Sequence, residues 1–305
     1  MFKKIKRYLK DPYYALGNDM IKKCPRLMPD KFYLSVLWKG VMGYEIDWKD
    51  PKTFNEKLQW LKLYDRKPEY TRMVDKYRAK QWVADKIGEQ YVIPTLAVYN
   101  SVDEIDLDKL PDQFVLKCNH DSGGVVICKD KASFDLEAAK SKLNKCLRHN
   151  FYWDTREWPY KNIERCVFAE LFLDPSPNAH ELFDYKFYCF NGEPKLFYIT
   201  SDKGGYLPTK EDFFDLNGNH LGVQDKQFLN NTVKTPDLPT RLDDMVRICR
   251  ILAKDKAHLR VDFYEICGRV YCGELTFYEN GGFCVFEPEE WNRRMGDWII
   301  LPEVK

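Results

Sequence analysis

The first ninety residues carry their apolar positions at helical spacing. Thr53 and Glu56 form a capping-box pair, each side chain reaching the other residue's backbone N–H. The pair opens TFNEKLQWLKLYDR, where Leu58, Leu61, Trp60 and Tyr64 recur at the helical period. A second helix is predicted through YTRMVDKYRAKQWVADKIG, with Tyr70, Val74, Tyr77, Ala84 and Ile87 on one face and Gly88 ending it. From Gln90 the period shortens, and QYVIP, FVLKCN and GVVICKD read as strands. A helix near 135–149 and the strand CVFAELFL follow. DYKFYCF-NG-EPKLFYIT is a hairpin whose Asn191-Gly192 signals a type I′ turn. A helix around 241–258 precedes a second hairpin, RVDFYEICGRVYCGELTF, and a last helix begins after Pro288. Helices mixed with hairpin-connected strands give an α+β class.

Charge and composition narrow the function classes. A formal net charge of +1 over 305 residues leaves no global field directed at nucleic acid. The ten cysteines include no CxxC pair and fall singly in apolar segments, as small buried hydrophobes of a reducing, cytoplasmic setting do. The five histidines lack paired-ligand spacing, which argues against zinc. No apolar run is long enough to span a bilayer. The opening MFKKIKRYLKDP lacks the apolar core of a signal peptide. Phe2, Ile5, Tyr8 and Leu9 line one side of a short basic helix, read as docked on the protein, with weak membrane-surface contact as the alternative. No partner protein is indicated.

Three segments carry chemistry. In FVLKCNHDSGGVVICKD a strand ends in Lys117 and leads into Ser122-Gly123-Gly124; glycine-rich turns expose N–H groups to phosphate, and a lysine adds a point charge. In DYKFYCF, alternation puts Asp184, Lys186 and Tyr188 on one strand face and Tyr185, Phe187 and Cys189 on the other. In the second hairpin, a loop centred on Gly268 places Asp262 opposite Glu274, a repulsive arrangement on one sheet face. Arg260, Asp262 and Tyr264 then share a face with Cys272, Glu274 and Thr276, while Val261, Phe263, Tyr271 and Leu275 form the apolar face. Two convergent carboxylates are what Mg²⁺ requires, and Arg260 beside them suits a developing oxyanion.

The order of these elements resembles the ATP-grasp superfamily. TFNEKLQWLKLYDR, FVLKCNHDSGG, DYKFYCFNGEPK and VDFYEICGRVYCGELTF are similar to motifs of the TupA-like (teichuronopeptide-biosynthesis) ATP-grasp family, over roughly residues 30–290. The resemblance implies two α+β lobes clamping ATP after a helical N-terminal segment: residues 1–70 helical, 71–173 the first lobe, 174–305 the second. It implies that Lys76 of Asp75-Lys76 and Lys117 bind ATP phosphates, that Ser122, Gly123 and Gly124 form a flap over them, and that Glu170, Leu171, Phe172 and Leu173 are the hinge whose backbone reads adenine. Asp184 takes the place of the ribose-holding acid, and Lys186 follows it as a phosphate-neutralising, catalytic lysine. Arg260 and Asp262 match RxD, and Glu274 matches the metal-bridging glutamate. The superfamily usually reads E-x-N, its Asn a further metal ligand, where this chain has Thr276. The implied activity is ATP- and Mg²⁺-dependent joining of a carboxylate to an amine through an acyl phosphate, the carboxylate a nucleotide-linked or glycan uronate of a surface polysaccharide. Trp291, Arg293 and Arg294 are acceptor-side candidates.

Two other readings are open. Asp106-Leu107-Asp108 is a DxD of the kind glycosyltransferases use for metal and nucleotide sugar. A non-catalytic nucleotide-binding scaffold would keep the fold and lose the chemistry.

Overall fold

The computed structural model describes residues 25–121, 123–174, 182–201, 209–228, 230 and 236–304. The basic N-terminal segment with Phe2, Ile5, Tyr8 and Leu9, and Ser122 of the glycine loop, lie outside the described residues.

Four helices open the described chain: α1 (Asp30–Met42), α2 (Phe54–Tyr64), α3 (Pro68–Val74) and α4 (Arg78–Ile87). The capping box at Thr53 and Glu56 is present in both directions. The single helix predicted over 70–88 is instead broken at Asp75. Its carboxylate accepts the N–H groups of Tyr77 and Arg78, both at 3.0 Å, a local cap that competes with continuing the helix. The break resets the helical phase, so Ala79, Trp82 and Val83 are buried in α4 rather than the expected Ala84 and Ile87. It also frees Lys76 from both helices; its N–H donates to the Asn119 carbonyl at 2.8 Å.

A four-stranded antiparallel sheet follows, in order β1 (Thr95–Tyr99), β4 (Val167–Leu171), β2 (Phe114–Cys118), β3 (Val125–Cys128). The predicted strand at QYVIP is a 3₁₀ turn over Glu89–Tyr91, and the strand starts after Pro94. One face of this sheet packs on α5 (Leu136–Arg148) through Phe114, Leu116, Cys118 and Leu143. The other face carries Lys117 and Glu170. A short helix α6 (Tyr152–Thr155) links α5 to β4.

The second sheet has the order β10 (Arg269–Thr276), β9 (His258–Ile266), β5 (Asp184–Phe190), β6 (Glu193–Ser201), β7 (Lys210–Asp215). Asn191 and Gly192 turn with φ of 51° and 89°, the left-handed pair a type I′ hairpin requires. Helix α7 (Leu242–Leu252) covers one face through Met245, Ile248, Cys249 and Leu252. It ends before the expected boundary, and His258 opens β9. A two-stranded ribbon, β8 (Gln224–Asp225) with β11 (Phe286–Glu287), and helix α8 (Glu290–Trp298) complete the chain.

Phe54 of α2 stacks on Tyr188 of β5 at 5.8 Å. Leu58, Tyr70, Met73 and Trp82 share one apolar cluster with β5, β6 and β9. The opening helices are thus continuous with the core of the second sheet. Among the described residues no helix is long and apolar enough to cross a membrane.

Candidate active site

A cleft of about 450 Å³, within the roughly 300–1,000 Å³ of small-molecule sites, lies between the β9–β10 hairpin, α1 and the segment around α6. Lys76, Arg260, Glu274 and Thr276 line its polar end; Leu37, Val41, Phe151 and Phe283 line its apolar end.

The hairpin β9–β10 does oppose Asp262 to Glu274, but not as expected. The turn has two residues, Cys267 and Gly268, with φ of 49° and 73°. Pairing runs Ile266 with Arg269 as far as Phe263 with Cys272, and resumes at Asp262 with Glu274. Gly273 is the extra residue of a β-bulge. Had β10 stayed regular from the turn, Glu274 would oppose Val261 on the core face. Tyr271 and Cys272 have consequently exchanged faces relative to expectation: Tyr271 pairs with Tyr264 and Cys272 with Phe263. Only glycine fits the bulge, because a Cβ there would lie 2.7 Å from the Tyr264 ring.

Around this pair sits a network of buried charge. Asp262 accepts from Arg260 Nε and a second guanidinium nitrogen, both at 2.7 Å, and from Lys186 Nζ at 2.6 Å. Lys186 lies 3.2 Å from Asp184. Glu274 pairs with Lys76, and Arg260 pairs with Glu279. The guanidinium nitrogen that bonds Asp262 is also 3.7 Å from Glu274, so one cation spans both carboxylates. Four carboxylates (Asp184, Asp262, Glu274, Glu279) meet three cations (Lys76, Lys186, Arg260), which leaves the network one charge negative. Burial pushes Asp262 up despite Arg260 and Lys186. Burial acts on Glu274 too, but Lys76, Arg260 and Lys186 outweigh it and hold it down at about 2.

The donor set fits a hard cation. Opposed carboxylates and a negative surplus suit Mg²⁺, which would take the place the Arg260 guanidinium nitrogen now holds between them. The Thr276 hydroxyl oxygen is buried with no hydrogen-bond partner among the described residues, and Thr276 lines the same cleft, so a third oxygen is on hand where Asn was expected.

A second assembly lies on the opposite sheet. Glu170 on β4 pairs with Lys117 on β2 and with Lys80 on α4, the latter at 2.8 Å. Lys80 also donates to the Ile93 carbonyl at 2.6 Å. Burial works to raise Glu170, yet the two lysines keep it below the usual carboxylate range. Two cations on one carboxylate leave a positive surplus, the sign that polyphosphate needs.

The predicted residues do not all converge. Glu170 presents a side chain as well as backbone, and Leu171 N–H is committed to the Pro94 carbonyl at 3.0 Å; Phe172 and Leu173 continue beyond β4. Asp184 is buried in the metal-side network. Gly123 is exposed, whereas Gly124 donates its N–H to Asp121 at 2.9 Å and has no room for a Cβ beside Cys118. Trp291, Arg293 and Arg294 sit on α8: Arg293 pairs with Asp297 and Arg294 covers Trp291, none lining the cleft. The apolar end is built instead by α1 and the segment around α6. Asp106 caps a 3₁₀ turn at Asp108 N–H and pairs with Lys109 at the surface, so the DxD does not join the cleft. Lys80, Glu279 and Asp121 were missed. Lys80 follows Lys76 by one helical period in DKYRAK, a legible signal; Glu279 lies in ENGG, just past β10.

The profile of the TupA-like ATP-grasp family matches residues 56–300. The chain belongs to that family. No curated protein matches this family member in sequence. Among solved structures it is similar to the D-alanine–D-alanine ligase of Bacillus anthracis complexed with ATP, at 17% identity and TM-score 0.38, over 74% of this chain and 58% of that one. The L-amino acid ligase of Bacillus licheniformis shows 12% identity and TM-score 0.44, over 85% and 55%. The ATP-grasp ligase PsnB with Mg, ADP and a phosphomimetic variant of its minimal precursor shows 11% and 0.44, over 92% and 71%. The chain thus spans little more than half the length of the first two.

Proposed function

We infer that this TupA-like ATP-grasp protein is an ATP- and Mg²⁺-dependent ligase that joins a carboxylate to an amine. The observation that carries the reading is a pair of charged assemblies of opposite surplus that meet at one small pocket, lined by Lys80 of the first and by Lys76 and Glu274 of the second. The Lys80–Glu170–Lys117 side suits phosphate oxygens; the Asp262–Glu274–Thr276 side suits a divalent cation. A bound Mg²⁺ would neutralise the β- and γ-phosphate oxygens during transfer.

The chain's own residues do the rest. With Asp262 and Glu274 holding the cation, Lys76 and Lys186, now paired with Glu274 and Asp262, would be free to meet phosphate charge. Arg260 remains aimed into the cleft, where it stabilises the oxyanion as the acyl phosphate is attacked. Lys117 and Lys80 hold the nucleotide's phosphates, and the hinge at Glu170–Leu173 holds its base. Amide, ADP and phosphate leave. Little covalent work falls to the protein; positioning and charge neutralisation supply the rate.

Within this reading the carboxylate is a uronic acid of a surface-polysaccharide precursor and the amine an amino acid or amino sugar, supported by family membership alone. A step that consumes ATP and nucleotide-linked sugars belongs to the cytoplasm. Thermal shift with ATP·Mg²⁺ against UDP-sugars is the first test: about 2.7 kcal/mol of stabilisation is expected at a hundred times Kd. Stabilisation by UDP-sugar and not by ATP would replace the ligase with a glycosyltransferase. Phosphate release across uronates crossed with amines then identifies the substrates; ATP binding with no release across the panel would favour a scaffold.

A further inference from the structure

One charged corner of the cleft is left unused by the phosphate and metal chemistry. Just after α6, Arg156 adopts φ 56° and ψ 26°, a left-handed conformation rare outside glycine. Its guanidinium is fully buried, 4.1 Å from the Tyr33 ring centre, and fixes a turn that delivers Glu157 to the cleft wall. Facing it is the Asn280–Gly282 turn. Helix α2 joins the two turns: Gln59 donates to the Gly281 and Gly282 carbonyls at 2.9 and 3.0 Å. Lys62 donates to the Gly281 carbonyl, the Thr155 carbonyl and Gln59 Oε1 at 2.7, 2.9 and 3.1 Å. All three Lys62 protons are therefore spent on neutral oxygens.

Glu157 is left 3% exposed, with no ion pair among the described residues. The other carboxylates of the cleft are taken. Glu274 and Glu279 pair with Lys76 and Arg260, Asp154 meets His149 at 2.9 Å, and Asp121 accepts the Gly124 amide. A buried carboxylate with no bonded cation is costly, and an entering cation relieves that cost.

We propose that Glu157 is the receptor for the nitrogen of the amine substrate, a primary ammonium, and takes a proton from it before attack. The proposal rests on the ligase reading above. The ammonium yields one proton to the Glu157 carboxylate. The nitrogen lone pair forms the C–N bond to the acyl carbon. The C–O bond to phosphate breaks, its electron pair leaves with phosphate, and the second nitrogen proton departs with it. The surroundings suit this role. Burial pushes Glu157 up to about 7 against the pull of Lys62 and the Thr155 hydroxyl, with Glu279 and Glu274 adding to the rise; the Tyr160 and Tyr278 phenols also face it. Burial brings Lys62 down to about 8. A carboxylate in that range is matched to proton transfer near neutral pH.

The test uses the full chain and L-alaninamide, a primary ammonium without a carboxylate. In calorimetric titration without nucleotide, Glu157→Gln should bind it about tenfold more weakly than wild type, the loss of one charge-assisted hydrogen bond, with Glu157→Asp between them. In turnover with ATP, Mg²⁺ and the uronate panel, ADP release driven by L-alaninamide should fall about a hundredfold in Glu157→Gln. Hydroxamate formation from hydroxylamine, already neutral and needing no base, should be largely kept. Absent or equal probe binding in the two proteins, or equal loss with both nucleophiles, overturns the proposal. So does a change confined to melting temperature, the outcome of a purely structural Lys62–Glu157 pair. Where Glu157→Gln does not fold, the wild-type titration decides: affinity rising as pH crosses about 7 supports the proposal, and a flat profile overturns it. Failure of the ligase reading shows separately, as no ATP·Mg²⁺ shift in wild type, and leaves the result of the titration standing.

Discussion

The two charged assemblies differ in how they are balanced. On the four-stranded sheet one carboxylate, Glu170, is shared by Lys80 and Lys117. On the five-stranded sheet four carboxylates share three cations. Both are largely buried, so burial alone does not distinguish them. The sign of what is left over does. A positive remainder awaits anions and a negative one awaits a cation, so a nucleotide triphosphate with its metal satisfies both at once. Pairing decides the titrating groups: Glu170 and Glu274 are held down by their cations, while Glu211 on β7 is pushed up to about 8 by burial, with Glu279 and Asp225 adding to it.

This contrast can be broken at either end. The largest effect is expected from Glu274→Gln, which removes a charge from the negative side: ADP formation should fall about a thousandfold, the several kcal/mol that a metal ligand supplies, while the fold is kept at a lowered melting temperature, since Lys76 loses its partner. Turnover within threefold of wild type would remove Glu274 from the metal site. Lys117→Met cancels the positive remainder, and KM for ATP should rise about ten- to a hundredfold, one or two charge-assisted bonds, while KM for the carboxylate holds. An equal rise in both constants would show that the lysine supports the fold and not the nucleotide. Gly273→Ala forces a Cβ against Tyr264 and should cost about 1–3 kcal/mol of stability, measured by urea unfolding; a neutral result would mean that the bulge has slack.

The smallest effect is a pH slope. The Glu211 carboxyl has a folded value raised above its unfolded one, about 4.3, so its stabilising effect is complete below the unfolded value. That effect is lost as pH rises toward about 8, at up to about 1.4 kcal/mol per pH unit. Glu211→Gln should flatten the fall in melting temperature over that interval. An unchanged slope would place the alkaline loss elsewhere.

Much of this was legible along the chain. The capping box and the Asn-Gly hairpin follow from local rules that tertiary packing does not disturb, whereas the opposition of Asp262 and Glu274, expected from a loop centred on Gly268, is delivered by the bulge at Gly273. The break at Asp75 was hidden because helical spacing continues through it; only an aspartate able to cap from within hinted at it. The exchange of Tyr271 and Cys272 was hidden because a bulge is a property of two strands. Glu157 and Glu279 were missed for a shared reason: each acquires its setting from residues distant in sequence. Nothing local marks Glu157, since what isolates its carboxylate is the way Lys62 spends its protons.

The hairpin turn and the bulge at Gly273 also bear on how this family can change length. A three-residue tip with a regular strand and a two-residue tip with one bulged residue deliver the same partners to Asp262. An insertion at the tip can therefore be offset by a deletion at Gly273, and the reverse, while the two carboxylates keep their separation along the chain. Aligned relatives should show gaps at these two places in compensating pairs, and a lone gap at either would mark a member whose cation site has been rebuilt.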